Sequence, residues 1–181
     1  MEAPDPRLPA AGFEELAVPL FDQLYNFARW LTRDASEAED LVQETYAKAL
    51  RGFSSFRAGT NFRAWIYRIL RNSFSSSRTG IRTEVAFDEE DPDVASRVGS
   101  STPEELLVQR ATREEVRQAL EELPVHSREI LLLCDVEEMS YQEIAETLAI
   151  PIGTVMSRLF RARQALRRLL QQRHPGGRRG L

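Results

Sequence analysis

Between Ser75 and Ser101 the three-to-four-residue spacing of apolar side chains stops, and on either side of that gap it is strong. A chain with that pattern cannot build one continuous helical core, so it divides into two small helical modules. On the first side Phe13, Leu16, Leu20, Leu24, Phe27 and Leu31 form one amphipathic stripe, which predicts a helix ending before Asp34. Ser36 followed by Glu39 predicts a capping box for a second helix that buries Leu41, Val42, Thr45, Ala49 and Leu50 and stops at Gly52. After the Ser/Gly-rich loop from Ser54 to Thr60, a third helix from about Asn61 places Phe62, Trp65, Ile66, Ile69 and Leu70 inward.

The second module is punctuated as clearly. Thr102, Pro103 and Glu105 predict an N-cap, a first-turn proline and a completed capping box for a helix running to Pro124. A helix over roughly Ser127 to Val136 follows, then a short one capped by Ser140 and Glu143, and then a long one from Ile152 that buries Val155, Leu159, Ala162, Leu166 and Leu169. No strand pattern or internal repeat competes. The predicted class is all-α: a disordered 1–12, a first domain over 13–78, a flexible acidic linker over 79–101, a second domain over 102–172 and a disordered tail over 173–181.

A net charge of −4 argues against nucleic-acid binding only as an average. From Glu14 to Glu44 there are eight acids against Arg29 and Arg33, whereas from Thr45 to Arg82 there are eight cations and no acid. The alternation repeats: Glu84 to Glu105 holds eight acids against Arg97, and Ile152 to Leu181 holds eight arginines and no acid. Solvated helix faces mix both signs, so this segregation predicts two phosphate-facing surfaces and separate acidic surfaces for another partner. It also predicts weak binding to DNA by the isolated chain.

Several function classes are disfavoured. Cys134 is the only cysteine and lies in an apolar run, which excludes a disulfide framework and suits a reducing cytoplasm. The expectation for it is an inert small hydrophobe. His126 and His174 have no carboxylate or cysteine at ligand spacing, so neither metal nor cofactor is expected. No stretch approaches the roughly 20 apolar residues of a membrane span. The lack of a nucleophile with a base, or of a phosphate-binding glycine loop, argues against an enzyme.

The segment Tyr141 to Phe160 reads as short helix, tight turn and longer helix, a helix-turn-helix. On its second helix Thr154, Ser157, Arg158 and Arg161 recur at three and four residues, a face suited to the major groove, where arginine takes guanine O6 and N7. Arg163, Arg167 and Arg168 extend the positive field.

The segments SYQEIAETLAIPIGTVMSRLFRARQALRRLL and EAEDLVQETYAKALRGFSSFRAGTNFRAWIYRILRN together resemble the extracytoplasmic-function sigma factors of bacterial RNA polymerase. The resemblance covers about Phe13 to Arg78 and Glu105 to Leu170 and implies sigma region 2, then region 4, with core polymerase (the beta-prime clamp and the beta flap), promoter DNA and an anti-sigma factor as partners. It implies that Asp40, Leu41, Val42, Gln43 and Glu44 dock on the clamp. Phe56, Arg57, Asn61, Arg68, Arg71 and Asn72 would hold the opened minus-10 strand, Phe56 by housing a flipped base. Thr154, Met156, Ser157, Arg158, Arg161 and Arg163 would meet the minus-35 duplex, Met156 standing where the family often carries Arg or Lys. The acidic linker would thread toward the RNA exit path. GTVMSRL and GTNFRAW look closest to the subgroup that answers thiol-oxidative stress under zinc-containing anti-sigma factors. The competing expectation is a helix-turn-helix regulator that acts without serving as a polymerase subunit. Trp65, on the stripe of Phe62, Ile66 and Ile69, is expected in the core rather than as a melting wedge.

Overall fold

The computed structural model describes residues 12–57, 59–78 and 111–173, and among these every regular element is a helix. They divide into two units, one comprising 12–78 with Gln142–Ile150 and the other 111–141 with 151–173. The linker, the Thr102 helix start and the C-terminal tail lie outside the described residues.

In the first unit the long helix expected from Phe13 is interrupted. It runs as α1 (Phe13–Ala17), a 3-10 turn (Val18–Leu20) and α2 (Phe21–Thr32). Pro19 is the reason: it lacks an N–H and its ring crowds the carbonyl four residues back. Arg33 closes α2 in the left-handed region at φ 64°, its N–H donating to Arg29 O at 2.9 Å. Asp34 then turns extended and caps α3 (Ala35–Gly52), its Oδ1 accepting from Glu37 N at 2.9 Å. The expected Ser36–Glu39 box is therefore not the cap, because Arg33 reverses the chain early enough for Asp34 to reach the exposed N–H groups first. Gly52 does not end the backbone in the left-handed region either; a 3-10 turn (Phe53–Ser55) continues from it at φ −88°.

α4 (Phe62–Arg78) completes the first bundle, with α2, α3 and α4 packed on one another. Leu24, Phe27, Leu31, Ile66, Tyr67 and Leu70 are all essentially inaccessible, and the Phe27 and Tyr67 rings lie 5.3 Å apart. A phenylalanine buried to this degree contributes about 2 kcal/mol through transfer from water. The polar groups that enter this core are satisfied: Thr45 Oγ1 donates to Leu41 O at 2.7 Å, and Tyr46 Oη donates to Ala17 O at 2.7 Å, tying α3 to the end of α1. Burial, and then the charge of Asp22, push the Tyr46 phenol up to about 12.

Among the described residues the first helix of the second unit is α5 (Arg113–Glu122), whose capping box is formed by Thr112 and Glu115: Glu115 Oε2 accepts from Thr112 N at 2.7 Å, and Thr112 Oγ1 accepts from Glu115 N at 3.3 Å. Pro124 separates it from α6 (Val125–Leu131), which begins two residues before the expected Ser127. The chain then widens into a π-helical turn (Leu132–Val136), an extra residue per turn that side-chain periodicity does not announce. It ends with Glu138 at φ 52°, a conformation that a non-glycine residue holds only under tertiary constraint.

α7 (Tyr141–Leu148) buries Ile144, Ala145 and Leu148, as its stripe predicts. From Gln142 onward it belongs with the first unit, where Thr147 Oγ1 donates to Ala64 O at 3.5 Å. The turn after it passes through Ala149 at φ 54° and closes with Ile150 N donating to Ala145 O at 3.1 Å. α8 (Ile152–Arg173) then packs Val155, Leu159, Ala162 and Leu170 inward against α5 and α6. Leu166 and Leu169 are only partly covered, Leu170 taking the last inward place.

Candidate nucleic-acid and polymerase interfaces

α3 sorts the five expected clamp residues into two groups. Asp40, Gln43 and Glu44 are exposed on one arc, while Leu41 and Val42 are 6% and 2% exposed. The last two lie in the core, on the α3 stripe that packs on α2 and α4, rather than on the exposed arc. Lys48, which the sequence did not single out, pairs with Glu44 Oε1 at 2.6 Å and donates to Ser73 Oγ on α4 at 3.0 Å. Its spacing four residues after Glu44 was the available signal. An ion pair this exposed contributes about 0–1 kcal/mol, so Glu44 keeps its charge available to a competing cation.

The loop before α4 carries a correction. Phe56 does not stand open on it but is 4% exposed, its ring 5.1 Å from Trp65, 5.4 Å from Phe62 and 6.0 Å from Phe53. Serine and glycine around it offer no competing apolar surface, so the ring folds back onto its aromatic neighbours. Trp65 is only half-buried and lines that cluster rather than the bundle centre. Asn61 caps α4, its Oδ1 accepting from Ala64 N at 3.1 Å and its Nδ2 donating to Glu143 Oε1 at 2.7 Å. Arg57, Arg68 and Asn72 are exposed and Arg71 is partly so. Arg68, Arg71 and Asn72, three and four residues apart, share one face of α4.

On α8, Ser157 Oγ donates to the backbone carbonyl of Thr154 at 3.1 Å, which turns the Ser157 hydroxyl back onto its own helix. Arg158 and Arg161 are partly exposed and make no ion pair or hydrogen bond among the described residues. Arg163 differs: it reaches Asp135 Oδ1 at 2.7 Å and Cys134 Sγ at 3.5 Å, anchoring α8 to the π-helical turn. The expected phosphate contact from Arg163 therefore competes with a contact inside the protein. Burial, then Asp135, holds the Cys134 thiol above its ordinary value, the direction that suppresses thiolate chemistry. From Ile152 to Arg173 the helix carries six arginines and no acid. Among the described residues there is no metal-binding group of three and no helix long and apolar enough to cross a membrane.

Comparison with known proteins also gives two parts, the second of which takes in the Gln142–Ile150 segment that groups with the first unit. Residues 19–81 match the family model of sigma-70 region 2, and residues 113–166 match that of sigma-70 region 4. The chain is 38% identical to the extracytoplasmic-function sigma factor EcfG of Rhodopseudomonas palustris over 154 residues, 85% of this chain and 81% of that protein. It is 35% identical to the extracytoplasmic-function sigma factor SigE of Mycolicibacterium smegmatis over 161 residues, 86% of this chain but 60% of that longer protein. Among solved structures, the sigma factor RpoE of Bartonella quintana, crystallised with the anti-sigma factor NepR, aligns at a TM-score of 0.65 and 31% identity, covering 88% of this chain and 96% of that one. CnrH in complex with the cytosolic domain of CnrY aligns at 0.63 and 25%, covering 88% of each.

The helical fold and the two family matches thus define a two-region sigma-type protein. The chain belongs to the sigma-70 family, in its extracytoplasmic-function group, and is an RNA polymerase sigma factor. Members of that family regulate transcription initiation without catalysing a reaction themselves.

Proposed function

We propose that this sigma factor joins core polymerase through the exposed Asp40, Gln43 and Glu44 of α3 and bridges it to a promoter with two cationic surfaces. Arg57, Asn61, Arg68, Arg71 and Asn72 guide the opened minus-10 strand, while Phe56 supports their loop from the aromatic cluster beneath. On α8, Thr154, Ser157, Arg158 and Arg161 meet the minus-35 duplex. The observation that carries this reading is the charge division itself: α8 has six arginines, no acid, and three of those arginines, Arg158, Arg161 and Arg168, uncommitted among the described residues. Placing phosphate-binding and polymerase-binding groups on different helices lets both be engaged at once.

The working compartment is the cytoplasm, and the chain brings no catalytic group or cofactor of its own. An anti-sigma factor holds it inactive until a stress signal arrives. The complexes of RpoE with NepR and of CnrH with CnrY support that control.

The net charge of −4 makes the isolated chain a poor DNA ligand. Fluorescence anisotropy on a labelled promoter duplex near physiological salt checks this. Core polymerase plus the chain binds tightly and the chain alone binds weakly; tight binding by the chain alone contradicts the proposal.

A further inference from the structure

The charge division of the first unit falls on one contact. Glu44 is the last acid before a run from Thr45 to Arg82 that holds eight cations and no acid, and Lys48 is the first cation of that run. The two meet one turn apart on α3, Lys48 Nζ lying 2.6 Å from Glu44 Oε1. The same ammonium donates to Ser73 Oγ on α4 at 3.0 Å. Ser73 is 2% exposed, so its hydroxyl is a fixed post that holds the ammonium where α3 and α4 meet. A lysine ammonium has three hydrogens. Glu44 and Ser73 are its partners among the described residues, and the Lys48 side chain is 41% exposed, which leaves the third hydrogen to solvent.

Ser73 directly follows Asn72, and one residue turns a helix by about 100°. Lys48 therefore stands at the flank of the α4 face that carries Arg68 and Asn72, a position suited to the backbone of a strand lying on that face rather than to its bases. In the free chain Glu44 neutralises this cation, but an ion pair this exposed is readily exchanged for another. A polymerase cation that takes up Glu44 removes the neutralising charge, while Ser73 keeps the ammonium in place. Resting on the readings that Glu44 docks on polymerase and that α4 guides the opened minus-10 strand, we propose that Lys48 couples the two events: core polymerase draws Glu44 away, and Lys48 then binds a phosphate of the strand. Such coupling is reciprocal, so the bound strand also strengthens the hold on polymerase.

The test reads the salt dependence of strand binding, since each phosphate neutralised on a single strand steepens the plot of log K against log salt by about 0.7. The probe is a fluorescein-labelled single strand carrying the minus-10 sequence that the chain and core polymerase together select from a randomised pool. Anisotropy is measured over a salt series with the chain alone and with the chain assembled on core polymerase. Lys48→Gln makes the slope of the assembly shallower by about 0.7 and leaves that of the chain alone unchanged. Lys48→Arg keeps the full slope, which separates lost charge from lost packing. Glu44→Gln steepens the slope of the chain alone by about 0.7, because Lys48 is no longer neutralised. A wild-type slope for the Lys48→Gln assembly, an equal change with and without core polymerase, or an unaltered slope for Glu44→Gln alone overturns the proposal. The Arg68→Ala, Asn72→Ala variant isolates the underlying reading. Strand binding that ignores this pair removes α4 from the minus-10 strand altogether, whereas binding weakened by the pair but indifferent to Lys48→Gln overturns the coupling only.

Discussion

Replacing Arg158 and Arg161 together by alanine lowers promoter-directed transcription by about 100-fold or more, because two arginine contacts to base edges each carry roughly 1–3 kcal/mol. The fold does not contribute to that loss. Neither guanidinium makes an ion pair or hydrogen bond among the described residues, and both lie off the stripe of Val155, Leu159 and Ala162 that packs α8. Single-round run-off transcription reads the effect, with thermal melting as the control: output collapses while the melting temperature stays put. Unchanged output from the double variant contradicts the role assigned to this face.

The second large effect is on assembly. Asp40→Lys with Glu44→Lys reverses the exposed charge of α3, and juxtaposing like charges at an interface costs several kcal/mol, so association with core polymerase weakens about 1000-fold. Reversal at position 44 also places a cation one turn from Lys48, a stability cost of about 0.5 kcal/mol that leaves the bundle folded. Co-elution with core polymerase on gel filtration separates the outcomes. Retained co-elution would move the docking surface elsewhere. Leu41 and Val42 give no such test, since shortening them opens the core instead.

Those two residues show where motif and periodicity disagree. The stripe through Leu41, Val42, Thr45 and Ala49 already put them inside, and the family motif drew them into the docking set only because they neighbour Asp40 and Glu44. The all-helical class, the presence of two modules and the inward face of α7 were legible because each depends on local spacing. Pro19 was equally visible and should have split the first helix. The Asp34 cap was harder, since it depends on Arg33 adopting a left-handed backbone that no hydrophobic pattern encodes.

Phe56 was beyond sequence reading for a different reason. Its burial comes from an aromatic cluster assembled from Phe53, Phe62 and Trp65, around a loop whose composition alone suggests exposure. The Arg163–Asp135 contact likewise joins residues 28 apart, across a π-helical turn that shifts the register of α6. The ties of Lys48 to Ser73 and of Tyr46 to Ala17 belong to the same class, polar contacts made only once helices have packed.

The most direct measurement is run-off transcription from a pool of genomic fragments with core polymerase alone, the chain alone, and the two together. Discrete transcripts that start at a shared promoter motif and arise only in the combined reaction are what this account predicts. A combined reaction with the same products as core polymerase alone would contradict it.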